Sequence, residues 1–244
     1  MKFGIKRLGK SLLDVVYPRH CIACGMTVEG KGSLEFLCLG CTAQLAWVTP
    51  PHCSNCGCPY DGEVTTNRAC PYCRESPPAF RQGRTLFKLE MSARALIYEL
   101  KYHQGTYLLN DIRKLIRRAP DYMKFLQESV LVPVPLHPLR LRERGYNQSR
   151  LLTECLTLET DRSSFAELLI RQVNTASQTG LNRKQRCKNM KNAFALNKKV
   201  PFNPTLRHIL VDDVYTSGAT LNACSNVLLQ AGITTIDVVT LAHG

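Results

Sequence analysis

Nowhere does this 244-residue sequence stay apolar for the ~18–20 residues that a membrane-spanning helix needs, so no membrane span is expected. A secretory signal is missing too. The basic start (Lys2, Lys6, Arg7, Lys10) is not followed by a continuous apolar stretch, because Arg7, Lys10 and Asp14 interrupt Ile5, Leu8, Leu12, Leu13, Val15 and Val16. Ile5, Leu8 and Leu12 stand at helical spacing and Pro18 stops the run. Residues 1–18 therefore read as a short amphipathic helix packed on the protein, with a membrane-surface helix as the rival, and the expected location is cytoplasmic. Two nucleotide signatures are absent as well: Gly-x4-Gly-Lys-Ser/Thr and Gly-x-Gly-x-x-Gly. Their absence argues against a P-loop and against a dinucleotide-binding fingerprint. Acidic residues are scarce, 19 against 32 Lys and Arg, for a net charge of +13. Residues 1–80 carry only +2 of that excess and residues 81–244 carry +11. A field of that sign favours polyanions: nucleic acid, acidic membrane or phosphorylated small molecules.

Cysteine, by contrast, is plentiful. Eight of the twelve cysteines form Cys21-x-x-Cys24, Cys38-x-x-Cys41, Cys53-x-x-Cys56 and Cys70-x-x-Cys73. Shifting the first four by 32 residues lands on the second four, so the module is two consecutive units of one kind. Two residues between cysteines make a tight turn that aims both sulfurs at one ion, and four thiolates complete a zinc tetrahedron. Gly25 and Gly57 follow the first pairs, where the chain needs positive φ to wrap the metal. Thirteen residues between pairs suffice for a short hairpin that carries the second pair across. The spacing is that of a zinc ribbon. Without an export signal, disulfides fit poorly; an iron site and a cross-braced exchange of ligand pairs remain as alternatives. Cys58 is spare, His20 and His52 read as exposed residues or as neighbours of the ligands, and Cys155, Cys187 and Cys224 read as core or incidental residues. Such modules fold because they bind metal. Structural or docking use competes with direct nucleic-acid contact.

After the connector Glu75–Phe80, strands alternate with helices, the pattern of a parallel sheet covered by helices. Strands are expected at 85–89, 130–134, 168–170, 208–211 and 233–241, and helices at 107–118, 147–158 and 220–230, with another opening at Ser92 as N-cap. A buried strand runs into Asp212-Asp213, and Thr216-Ser217-Gly218-Ala219-Thr220 then opens a helix. Small hydroxyl residues at a helix N-terminus offer N–H groups, O–H groups and a positive dipole end to a phosphate. An acidic pair beside that phosphate suits the hydroxyls of an attached sugar. The implied ligand is a sugar 5-phosphate; the bland rival is an ordinary capped strand-to-helix turn.

Residues 209–220 resemble the phosphoribosyl pyrophosphate (PRPP) signature of type I phosphoribosyltransferases. Within that group the chain is similar to the ComF family of competence proteins, which shares Leu100-Lys-Tyr102, Val132-Pro-Val-Pro-Leu-His-Pro138, Arg144-Gly-Tyr-Asn-Gln148, then Arg171, Gln178, Leu181, Arg183, Arg186, Asn189 and Phe194, and the double zinc ribbon. Ser217 stands where a threonine is common. The resemblance implies an α/β fold, a phosphoribosyltransferase-like parallel sheet flanked by helices over 81–244, preceded by a small double zinc-ribbon module over 19–76. It implies that Asp212 and Asp213 bind ribose hydroxyls and Thr216, Ser217, Gly218, Ala219 and Thr220 the 5-phosphate. The loop from Pro135 is implied to lie near a pyrophosphate bridged by Mg²⁺, and residues 171–195 to stand in for a mobile lid.

Between Arg171 and Lys199 there are eight Lys and Arg and no acidic residue. Arg140, Arg142, Arg144 and Arg150 add a second cluster around Tyr146. A pyrophosphate lid needs one or two cations; the surplus suits single-stranded DNA, with Arg140, Arg142, Arg144, Arg183, Lys184, Arg186, Lys188 and Lys191 on phosphates and Tyr146 as a stacking platform. A solvated basic surface without a partner is the plain alternative. Two functions follow: a ComF-like protein of competence and DNA uptake, working on the cytoplasmic side with a PRPP-type ligand and a competence-machinery partner, or an active phosphoribosyltransferase acting on a nucleobase or amine.

Overall fold

A computed structural model describes residues 18–28, 34–60, 62, 65–173 and 192–244. The expected helix at 1–18 lies outside the described residues except for Pro18, as do Gln178, Leu181, Arg183, Lys184, Arg186, Cys187, Lys188, Asn189 and Lys191.

Runs of β-branched and aliphatic residues, apolar on both faces, build a central sheet of five parallel strands in the order β1-β7-β6-β2-β3. The strands are β1 (Gly83–Lys88), β2 (Ser129–Pro133), β3 (Ser163–Phe165), β6 (Arg207–Tyr215) and β7 (Thr235–His243). A separate antiparallel pair joins β4 (Leu169–Arg171) to β5 (Phe194–Leu196). The helices are the five-residue α1 (Leu39–Ala43) and α2 (Pro71–Glu75), then α3 (Met91–Tyr102), α4 (Leu109–Ile116), α5 (Pro120–Leu126), α6 (Pro138–Arg144), α7 (Gln148–Leu158) and α8 (Ala219–Gln230). Most expected elements are present with shifted ends. Ser92 is not the cap of α3: Glu90 takes the N-cap position and Ser92 is buried inside the helix. β6 continues through Asp212 and Asp213 because their backbones stay paired with β7 as far as Tyr215–His243. The helices α5 and α6 begin on Pro120 and Pro138, where proline suits the first helical turn.

The ribbons straddle the sheet at the β1 edge. On one face Val28, Leu34, Leu37 and Leu45 of the first ribbon join a core with Leu96, Leu100, Ile112, Leu131, Ile209 and Val239. On the other face the second ribbon joins a core with Phe80, Leu210, Leu221, Leu228 and Val238. Between them, residues 46–48 run antiparallel to β1: Val48 N–H donates to the Leu86 carbonyl at 3.0 Å and Lys88 N–H to the Ala46 carbonyl at 2.8 Å. The rings of Trp47 and Phe87 meet edge to face, 4.7 Å apart. An open strand edge is a liability, and this segment covers it. The second ribbon approaches so closely that a side chain on Gly57 would come within 2.7 Å of the Gly83 carbonyl oxygen.

A buried carboxylate fixes the first ribbon. Asp111 of α4 is fully buried and accepts the Glu35 and Phe36 amides, each at 2.8 Å, with Lys114 Nζ 3.6 Å away. Asp111→Ala strands those two amides, and we expect a loss of about 3 kcal/mol in thermal or urea unfolding. A loss below about 1 kcal/mol, with ribbon metal retained, would show that water satisfies the amides instead.

Candidate functional site

Metal sites come first because the ribbons frame the rest. The eight cysteines form two sets, Cys21, Cys24, Cys38 and Cys41, and Cys53, Cys56, Cys70 and Cys73, and within each set the ligand atoms lie within 4.8 Å of one another. The pairing is sequential and not cross-braced. Cys24 and Cys38 sulfurs are 3.7 Å apart and Cys56 and Cys70 sulfurs 3.8 Å, close to the edge of a tetrahedron built from ~2.3 Å Zn–S bonds. The residues therefore fit one structural zinc per set. Gly25 and Gly57 have φ of 76° and 74°, as the turn chemistry requires. Cys38 and Cys70 are N-caps of α1 and α2, so each second pair opens a short helix. Neither His20 nor His52 joins a set: His20 Nδ1 turns to the Gly25 carbonyl and buried His52 to the Cys53 carbonyl.

The residues expected from the sequence to hold a sugar phosphate gather at the C-terminal end of β6, where open α/β sheets bind ligands. Asp213 is buried, and its Oδ2 lies 2.9 Å from Lys101 Nζ of α3, an ion-pair contact without a further well-directed hydrogen bond. Asp212 Oδ1 accepts the Ser149 hydroxyl at 2.8 Å and the Asp213 amide at 2.9 Å. Burial, then the neighbouring charge of Asp213, push the Asp212 carboxyl up to about 7, against the pull of Lys101 and Ser149. Burial pulls Lys101 down, but Asp213 by charge and hydrogen bond, with Asp212 behind it, leaves the ammonium above its ordinary value. Gly218 caps α8 in the left-handed region, φ 73°, and any Cβ there would collide with the Tyr215 hydroxyl. Thr216 is exposed, Ser217 and Thr220 are half-buried, and Ala219 opens α8, so the loop meets solvent at a helix N-terminus. The segment from Pro135 to His137 leaves the end of β2, the strand next to β6.

Lys101 and Ser149 were missed as site residues. Lys101 had a readable signal: it falls four residues after Ile97 and eight after Ala93, on the buried stripe of α3, where an unpaired lysine is costly. Ser149 had none, since its role comes from where Asn147, the N-cap of α7, starts that helix.

The basic residues divide. Arg140, Arg142 and Arg144 project from α6, and Arg140 and Arg144 share a depression of about 200 Å³ with Lys101, Tyr102 and Glu143. Arg140 pairs with Glu143 at 2.9 Å, and Arg144 bonds Gln148. Tyr146 is not a free platform: its hydroxyl donates to the Leu100 carbonyl at 2.6 Å and its ring packs against the core. Near these arginines the exposed aromatics include Tyr98 and Tyr102, with ring centroids 5.0 Å apart and the Arg144 guanidinium 5.7 Å from the Tyr102 ring. Arg183, Lys184, Arg186, Lys188 and Lys191 lie outside the described residues.

Similarity to known proteins bears on this geometry. Residues 12–75 match the model of the double zinc ribbon domain. Competence protein F of Haemophilus influenzae is 30% identical over 232 residues, 92% of this chain and 96% of its own length. DNA utilization protein YhgH of Escherichia coli K12 is 29% identical over 69% of this chain and 75% of its own. Competence protein ComFC of Bacillus subtilis is 28% identical over 62% and 60%.

Metal analysis of the purified protein is expected to return two zinc ions per chain; one ion, or iron as the native metal, contradicts two four-cysteine sites. Lys101→Met leaves the Asp213 carboxylate buried without its cation, at an expected cost of about 3–5 kcal/mol. Because the variant raises the Asp212 carboxyl further, the cost grows as pH rises through the carboxylate range toward 7 and shrinks on acidification. Melting curves at pH 5 and pH 8 check the sign; an equal loss at both would deny the charge pairing.

Proposed function

This chain belongs to the ComF family of competence proteins, and from that membership we propose that it acts in DNA uptake by holding single-stranded DNA beside a bound PRPP-type sugar phosphate. The names of its relatives support the biological setting, competence and DNA utilization. The observation that carries the DNA half is the exposed Tyr98–Tyr102 pair with Arg140 and Arg144 beside Tyr102. Stacked bases on tyrosines and phosphates on arginines are how single strands are held without sequence preference. Arg142 has no ion-pair partner among the described residues, so its charge is available to a phosphate. In this reading Asp212 and Asp213 take the ribose hydroxyls, the 216–220 loop takes the 5-phosphate, and Mg²⁺ accompanies the pyrophosphate near Pro135. No described helix is long and apolar enough to cross a membrane; work on the cytoplasmic side, with a partner from the competence machinery, belongs to the same proposal.

A second reading, phosphoribose transfer from PRPP to a nucleobase or amine, is favoured by the Lys101–Asp213–Asp212–Ser149 network. DNA contact alone gives that network no use.

Titrating a labelled oligothymidine and Mg²⁺–PRPP, separately and together, tests both. Tyr98→Ala with Tyr102→Ala is expected to weaken DNA binding by about 1–3 kcal/mol per stacked base with PRPP affinity intact. Arg140→Ala with Arg142→Ala should flatten the plot of log K against log salt by roughly 1.4, about 0.7 per phosphate contact. Absence of DNA binding at low salt, with PRPP still bound and lost in Asp212→Asn, would leave the transferase reading.

A further inference from the structure

The two four-cysteine sets are alike in ligand type and spacing and unlike in access. In the second set Cys53, Cys56, Cys70 and Cys73 are all buried, none more than 5% exposed. In the first set only Cys21 and Cys41 are buried, whereas Cys24 is exposed and Cys38 half-buried. The two accessible sulfurs are also neighbours, 3.7 Å apart. Packing is the cause. The second set lies inside the apolar cluster that holds Phe80, Leu210 and Leu228. The first ribbon turns Cys21 and Cys41 into the opposite core and leaves the turn after Cys24 and the start of α1 in solvent, with Met26 and Leu39 both exposed.

That contrast has a chemical consequence. Metal binding holds a cysteine as its thiolate, so ionisation is the same for all eight ligands and access separates them. Oxidation by peroxide follows thiolate character and exposure.

We propose that Cys24 and Cys38 form an oxidation site, at which hydrogen peroxide converts the pair to a disulfide and frees the first zinc while the second set stays reduced. The Cys24 thiolate attacks one peroxide oxygen, the O–O bond breaks, and the other oxygen leaves as hydroxide. Cys24 is then a sulfenic acid, and the Cys38 sulfur attacks its Sγ, forming the S–S bond and expelling a second hydroxide. The pair gives up two electrons, the peroxide takes both, and two protons from solvent complete two waters. Cys21 and Cys41 remain, two ligands where a structural site needs four.

The effect on the fold is local. The first metal site ties the turn at 21–24 to α1 across residues 34–37. That stretch places the Glu35 and Phe36 amides on buried Asp111 and sends Leu34 and Leu37 into the core with Leu96 and Ile112. Ile22 N–H also donates to the Phe36 carbonyl at 3.0 Å. Loss of the metal therefore loosens the clamp over Asp111, while residues 46–48 stay zipped to β1 and the second ribbon keeps its contacts.

Hydrogen peroxide titrated into the zinc-loaded full chain, with a chromophoric chelator reporting free metal, tests the proposal. One of the two zinc ions is expected to leave roughly tenfold faster than the other, because reactivity follows exposure. Peptide mapping at the end of that fast phase should find Cys24 bonded to Cys38, with Cys53, Cys56, Cys70 and Cys73 reduced. Hydrogen exchange should speed up at the Glu35 and Phe36 amides and stay unchanged at the Val48 and Lys88 amides, and a reductant with added zinc should restore the starting state. Cys24→His keeps a zinc ligand that cannot enter a disulfide, and should carry two zinc ions without the fast phase. Both ions leaving at one rate, neither leaving, a fast phase that maps to the second set, or a disulfide other than Cys24–Cys38 overturns the proposal. If Cys24→His does not hold two ions, the mapping of the unaltered chain decides.

Discussion

The open edge of β1 is the constraint around which the molecule is arranged. Its backbone groups need partners, and they find them in the three residues between the two metal units, Ala46 to Val48. Once that segment is zipped along β1, the first ribbon must fall on one face of the sheet and the second on the other. Each metal unit is too small for a core of its own. Here each borrows one: cysteines 21 and 41 are counted in the same apolar cluster as the α3–α4 face, and cysteines 53, 56, 70 and 73 in the cluster beneath α8. Metal binding and sheet packing are thereby coupled, and they are tied further by the Asp111 carboxylate on one side and the Gly57–Gly83 backbone contact on the other.

At the far end of the strands, the electrostatics are arranged around two adjacent carboxylates that repel each other. β6 stays hydrogen-bonded through both, which holds the backbone rigid where the charges are. Lys101 relieves Asp213, and Ser149 supports Asp212. Because Lys101 projects from the same helix that displays Tyr98 and Tyr102, one element joins the acidic pair to this exposed aromatic surface. Arg140 and Arg144 of α6 complete that surface from the other side of the same depression.

Chemistry carried by contiguous residues was legible in the sequence. The 32-residue cysteine repeat encodes two metal sites because a Cys-x-x-Cys turn presents both sulfurs locally. Residues 209–220 encode strand, acidic pair, hydroxyl loop and helix start in one run. The parallel α/β class follows from alternating apolar periods. Less legible were short elements opened by proline, α5 and α6, whose seven residues each are below the length at which periodicity speaks. Tyr146 reads as exposed because it sits in a basic stretch; its hydroxyl is tied to Leu100, 46 residues earlier, and no local signal carries that.

By itself the sequence determined the ligand sets for two zinc ions, the loop geometry suited to a phosphate and the alternation that makes a parallel sheet, since each depends on spacing within a few dozen residues. Only the tertiary structure decided that ligand pairs bind sequentially, that the ribbons clamp opposite faces of one edge, and that Lys101 and Ser149 hold the acidic pair. Those contacts join residues far apart in the chain, such as Glu35 to Asp111, Lys101 to Asp213 and Gly57 to Gly83. They are set by how faces pack once burial of apolar surface has brought the layers together, and a local pattern of residue types does not encode which distant faces meet.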